Sequence, residues 1–211
     1  MRIPDVPIEQ AAQRSAEWFE ARIGKITASR AWACADYLKS GKESADRKKL
    51  RRQLAGERLT GLPTQVYVNA AMQRGVELEP EAILDFENHH GDFEAGSVQP
   101  CGLFLHPTIT NCAASPDGLI GEDGLLEVKC PGIETFIGYA EEPGTLLDEY
   151  RAQLDLQLAC TGRSWVILWA YYPGLNAQWV KYERNKESIA KLEQAIILMD
   201  KEVDELVGRL R

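Results

Sequence analysis

A chain of 211 residues, 45% hydrophobic and 27% charged, is long enough for one sizeable core and short for two, so a single domain over residues 1–211 is expected. No apolar run approaches the ~18 residues that span a membrane, and the five cysteines (Cys34, Cys101, Cys112, Cys130, Cys160) are odd in number and never spaced Cys-x-x-Cys, which disfavours a disulfide framework or a zinc ribbon. The net charge of −8 argues mildly against a nucleic-acid partner as a sum, although charge distribution carries more weight.

In chain order, the N-terminal "MRIPDVPIEQAAQRS" lacks the apolar core of a secretory signal, and a cytoplasmic protein is expected. Ser15 to Ile23 predicts a short helix ending at Gly24, and Thr27 predicts the cap of a second helix running to about Lys39. Ser44 caps a third helix that stops near Gly61-Leu62-Pro63. Lys39 to Arg58 carries eight basic residues against three acidic ones, which reads as either a solvated face or a track for phosphate. "NAAMQRGVELEPEAILDFENHHG" predicts a pair of helices broken around Gly75 and Pro80.

After Gly91 the pattern changes to strands: "SVQPCGLFLHP", "TNCAASPDGLI" and "GLLEVKCP", with Asp123-Gly124 as hairpin turn chemistry. Leu146 to Cys160 returns to helix. "SWVILWAYY" is the apolar run of a strand covered on both faces, and "AQWVKYE" is its neighbour. Lys186 to Arg211 is a long amphipathic helix, with Ile189, Leu192, Ile196, Met199, Val203 and Leu206 on one stripe. Strands in the middle with helices on both sides give an α/β fold with a central mixed β-sheet flanked by α-helices.

The informative stretch is "SPDGLIGEDGLLEVKC", Ser115 to Cys130. Residues i and i+2 of a strand share a face, roughly 6–7 Å apart. Glu127 and Lys129 therefore share one face, with Leu126, Val128 and Cys130 on the other, toward the core. A hairpin turning at Gly121 to Gly124 brings Asp117 back beside Glu127. Two neighbouring carboxylates repel unless a cation intervenes. Magnesium suits them, because it takes one or two carboxylates plus water and phosphate oxygens. A lysine alongside can hold or deprotonate an attacking water and neutralise charge on a phosphate. The arrangement suits metal-assisted hydrolysis of a phosphodiester. The bland alternative is a surface hairpin whose Glu and Lys pair in solvent, worth under ~1 kcal/mol. A calcium loop fails, because Leu119 and Gly121 stand where acids or amides are needed.

"PDG" followed by "EVK" resembles the PD-(D/E)-x-K nuclease signature. More narrowly, the chain resembles the phage lambda exonuclease family, the alkaline exonucleases of viral recombination systems. "WFEARIGKITAS", "RGVELEPEA", "ASPDGLI", "LEVKCP" and "YRAQLDLQLACTG" carry the resemblance over most of the chain. It implies a restriction-endonuclease-like core and a magnesium-dependent exonuclease, with manganese as a substitute. That enzyme would digest one strand of linear double-stranded DNA from its 5′ end, release mononucleotides and leave 3′ overhangs. The expected setting is the cytoplasm of a bacterium or phage-infected host. Asp117, Glu127, the carbonyl of Val128 and Glu79 are the implied metal ligands; Lys129, oriented by Gln153, the implied water-activating group; Arg22 and Ser29 the implied holders of the DNA 5′-phosphate.

Each role has a plainer reading. Glu79 is also an acid at a helix start before Pro80, Gln153 a partly exposed amide, Arg22 a solvated cation beside a capping Thr27, and Trp18 a core residue rather than a base-stacking platform. The family also implies a toroidal homotrimer threading DNA and a single-strand annealing protein as partner. Competing functions are an endonuclease on the same core, an iron–sulfur nuclease whose cysteine spacings are absent here, and an inert DNA-end binding subunit.

Overall fold

The computed structural model describes residues 12–64, 69–89 and 97–211. Six α-helices, one 3-10 helix and eight strands are present among the described residues. Helix α1 (Ala16–Arg22) is capped by the Ser15 hydroxyl, which accepts from the Trp18 amide. Thr27 does not cap an α-helix. It lies in a two-residue strand β1 (Ile26–Thr27), followed by a 3-10 helix, Ala28–Ala35, that stops short of Lys39. The Thr27 hydroxyl instead accepts from Arg30 Nε at 3.4 Å, so it is not available to cap the turn.

Helix α2 (Ala45–Thr60) matches the expected basic helix, capped by Ser44 and closed by Gly61 in the left-handed region. Part of its positive charge is structural. Arg47 is buried and donates to Glu43 and Glu202, and Arg58 pairs with Asp200 and Asp204. Helix α3 (Ala70–His89) is continuous through Gly75 and Pro80, not the expected broken pair. One lost amide donor is tolerated there, because Ala82 and Phe86 anchor the following turns in the core. His90 and Gly91, at the end of that pattern, lie outside the described residues.

Each of the first two expected strands splits in two at a proline. Val98–Gln99 (β2) and Phe104–Leu105 (β3) flank Pro100; Cys112–Ala114 (β4) and Gly118–Ile120 (β5) flank Pro116. The halves join different sheets. A small sheet has the order β1-β4-β3 and was not foreseen. The main sheet has the order β2-β5-β6-β7-β8, with β6 (Gly124–Lys129), β7 (Trp165–Ala170) and β8 (Gln178–Glu183). It is mixed: β6 and β7 are parallel and the other pairs antiparallel. The hairpin turn is one residue tighter than expected. Ile120 pairs with Gly124, and Gly121 takes the positive φ of 51°. Gly124 is instead required by packing, since a Cβ there would lie 2.2 Å from the Trp165 ring.

Helices α4 (Ile133–Glu141) and α5 (Pro143–Thr161) follow β6; the first was not predicted and the second starts earlier than Leu146. Helix α6 (Lys186–Leu210) has the expected stripe, with Val207 replacing Leu206 as its last buried member. Both sheet faces are covered. Leu125, Val166 and Leu168 pack with Leu154 and Leu158 of α5 and Ile196 and Met199 of α6. Leu126, Val128, Ile167 and Trp169 pack with Ala82 and Phe86 of α3. Helices therefore flank a mixed sheet, and no described helix is long and apolar enough to cross a membrane.

Candidate active site

The charged groups of the hairpin meet where β6 leaves the cover of β5. The Asp117 amide donates to the Leu126 carbonyl at 3.0 Å. Its carboxylate, just beyond that last ladder bond, accepts from the Val128 amide at 2.8 Å. In a strand the N–H and C=O of one residue point to the same side. The Val128 carbonyl is thus directed toward the Asp117 side, while the Lys129 carbonyl turns the other way and accepts from Tyr171.

Glu127 is 3% exposed, facing α5. Its Oε1 accepts from Lys129 Nζ and from Gln153 Nε2, each at 2.5 Å; its Oε2 accepts from Gln157 Nε2 at 2.5 Å. Lys129 also donates to Gln153 Oε1 at 3.3 Å, and its ammonium lies 4.7 Å from the centre of the Tyr150 ring. These α5 residues align because positions three and four apart share a helix face. A carboxylate offers about four lone-pair sites, so three donors leave Glu127 one.

The electrostatics follow from burial. Desolvation first, then the Glu127 charge and more weakly that of Glu79, push the Asp117 carboxyl well above its usual range; Lys129 and the Val128 amide oppose them. Burial works against the Lys129 charge, but Glu127 and Asp117 outweigh it, and the ammonium is held more firmly than in water. The contacts place Asp117 against the amide of the residue that follows Glu127 on β6, and Glu127 is buried, so the pair is not splayed into solvent. Their hard oxygens and the Val128 carbonyl direction fit a magnesium ion completed by water and phosphate. Among the described residues, no group of three or more carboxylate, imidazole or thiol side chains forms a ready-made cage. Glu79 is already paired, because Arg14 Nη2 lies 2.5 Å from its Oε2. Next to Arg14, Gln13 donates to the Pro116 carbonyl at 2.6 Å.

Arg22, the last residue of α1, and Ser29, in the 3-10 helix, lie on either side of β1. The Arg22 guanidinium stacks 4.0 Å from the centre of the Trp18 ring. Trp18 is buried, as the plainer reading held, and its indole N–H donates to Ser115, two residues before Asp117, at 3.0 Å. Burial and the Arg30 charge push Arg22 down to about 10, with Glu57 opposing, so it remains a cation at neutral pH. It makes no ion pair among the described residues. Ser29 is exposed and lines a cavity of about 390 Å³ with Trp32, Glu149, Tyr150 and Gln153. Sequence reasoning passed over Gln157, Tyr150 and Arg14. The spacing Gln153-x-x-x-Gln157 was the available signal for the first.

The pattern of the YqaJ-like viral recombinase domain matches residues 17–164, a span that includes every candidate site residue. Among solved structures, the chain is similar to the alkaline exonuclease LHK-Exo from Laribacter hongkongensis, with 36% identity, TM-score 0.80, and coverage of 93% of this chain and 96% of that one. LHK-Exo in complex with dAMP matches at 37% identity and TM-score 0.81, with the same coverage. A phage-related exonuclease from Haemophilus somnus 129PT shares the fold at 15% identity and TM-score 0.70, over 89% of this chain and 96% of that one. No curated protein matches. The chain belongs to the YqaJ-like viral recombinase domain family.

Proposed function

We propose that this protein is a magnesium-dependent nuclease that digests one strand of linear double-stranded DNA from its 5′ end, releasing mononucleotides and leaving 3′ overhangs for recombination by strand annealing. The observation that carries this reading is the buried Glu127, joined to Lys129 and Gln153, with the Asp117 carboxylate held at the amide of the next residue, Val128. Family membership and the likeness to alkaline exonuclease LHK-Exo support the same chemistry.

Asp117, Glu127 and the Val128 carbonyl would hold magnesium, with Glu79 added once it exchanges Arg14 for the ion. Bound there, the ion supplies Lewis acidity toward a phosphoryl oxygen and an acidified water. Lys129 is kept protonated by its two carboxylate neighbours. Its part is therefore to donate to the attacking water or to a phosphate oxygen as negative charge develops. Gln153 holds Lys129 and Glu127 in register through one amide. Arg22 and Ser29 would take the terminal phosphate, which sets the polarity.

The net charge of −8 is compatible with DNA if basic groups are gathered on one surface. Lys48, Lys49 and Arg52 of α2 make no ion pair among the described residues, unlike Arg47, Arg51 and Arg58. A toroidal homotrimer and a single-strand annealing partner belong to this proposal through the family resemblance. Phosphate contacts would make DNA binding fall steeply with salt. Magnesium with end-labelled linear duplex beside supercoiled circle is the direct test. Loss of 5′ label as mononucleotide with circles intact is expected; nicked circles would replace the exonuclease with an endonuclease, and inert linear DNA would refute the proposal.

A further inference from the structure

The cavity beside the candidate centre has two walls of different chemistry. Ser29 and Trp32 come from the 3-10 helix, where residues three apart eclipse one another and so face the same way. Glu149, Tyr150 and Gln153 come from one face of α5. Trp32 keeps 48% of its surface exposed, although its neighbours Ala31, Ala33 and Cys34 are buried in the core. Trp32 thus lines the cavity with part of its surface open to solvent, on a well-anchored backbone. The Lys129 ammonium lies 4.7 Å from the centre of the Tyr150 ring. The cavity, about 390 Å³, lies within the range of roughly 300–1,000 Å³ typical of small-molecule sites.

We propose that Trp32 and Tyr150 form a base slot: a nucleobase enters this cavity against Trp32 while its 5′-phosphate stays at Ser29, so Trp32 is a base-positioning residue. This deepens the nuclease reading and rests on it for the identity of the substrate. The orientation follows from charge. Glu149 is the one acid among the described lining residues; its carboxylate accepts from the Tyr139 hydroxyl at 2.7 Å, and it repels phosphate from the α5 wall. Gln153 reaches both the cavity and Glu127, so a nucleotide seated there places its sugar toward the candidate centre. Stacking on aromatic faces is tolerant of sequence, which suits an enzyme that must accept each base in turn.

The test is calorimetric binding of two probes, dAMP and 2-deoxyribose 5-phosphate, to the full chain in EDTA, where no turnover occurs. The parent should bind dAMP about tenfold more tightly than the sugar phosphate, the size expected for one stacked base. Trp32→Ala should erase that preference while leaving sugar-phosphate binding unchanged, and Trp32→Phe should restore most of it. A parent that does not distinguish the probes, a Trp32→Ala protein that keeps the parent's preference, or a parallel loss of both ligands would overturn the slot. Nuclease assays on the parent separate the two readings: base preference without DNA cleavage leaves the slot and removes the function, and cleavage without base preference does the reverse.

Discussion

Gln157 Nε2 lies 2.5 Å from Glu127 Oε2, thirty residues away along the chain and wholly buried. The other amide atom, Gln157 Oε1, is buried with no hydrogen-bond partner. An orphaned acceptor costs about 1–3 kcal/mol, so a leucine of similar size would serve the fold better. The amide is explained by what it does for the carboxylate. Gln157→Leu should therefore weaken magnesium activation by about 10–100-fold, as loss of a partner behind a ligand commonly does. Magnesium titration of cleavage and direct manganese binding should shift together. Unchanged metal affinity would make Gln157 a packing residue.

Lys129 is bound on three sides, by Glu127, Gln153 and the Tyr150 ring. Removing its ammonium takes away a donor aimed at developing charge, so Lys129→Ala should lower single-turnover cleavage by at least about 10²–10³-fold. Thermal stabilisation by magnesium should persist, since the oxygen donors remain. Normal cleavage would take Lys129 out of the mechanism.

Arg22 is a cation braced on Trp18 with no carboxylate partner among the described residues. Arg22→Ala should cut the preference for 5′-phosphorylated over 5′-hydroxyl ends by roughly 10–100-fold, the worth of a charged hydrogen bond. Competition between the two duplexes in one reaction measures it. An equal drop on both ends would reduce Arg22 to a general DNA contact.

Asp155 provides a pH dependence away from the site. It is 2% exposed on α5 and accepts from Tyr182 at 2.8 Å and from Ser188. Burial raises its carboxyl above the ordinary value, with Ser188, Tyr182 and Arg151 opposing. A raised acid favours the folded state while protonated. Its contribution is full below the unfolded value near 3.8 and declines as pH rises through the folded one. Asp155→Asn cannot ionise, so its melting temperature should gain on the parent's between pH 4 and 7, by about 2–4 °C per kcal/mol. A constant gap across that range would show that Asp155 does not titrate with folding.

Much of the fold could be read from the sequence, and the misses have local causes. Helix α6 was legible because its stripe repeats over seven turns and Asn185 caps it with two accepted amides. Helix α3 was misread as broken, because Pro80 is a strong local signal and the anchoring by Phe86 is a distant one. Pro100 and Pro116 were visible, yet nothing local says that the strand halves on either side belong to different sheets.

At the site, Asp117, Glu127 and Lys129 were legible because a hairpin pairs residues close in sequence, and strand alternation puts two of them on one face. The sequence alone therefore determined that two carboxylates and a lysine would converge. It could not say what surrounds them. Gln157 reaching Glu127, Trp18 reaching Ser115, Arg14 reaching Glu79 and the cavity between the 3-10 helix and α5 all arise when separate elements dock. Periodicity tells each element which face to bury, but not which partner covers it. That choice is made by packing across the sheet, and only the tertiary structure records it.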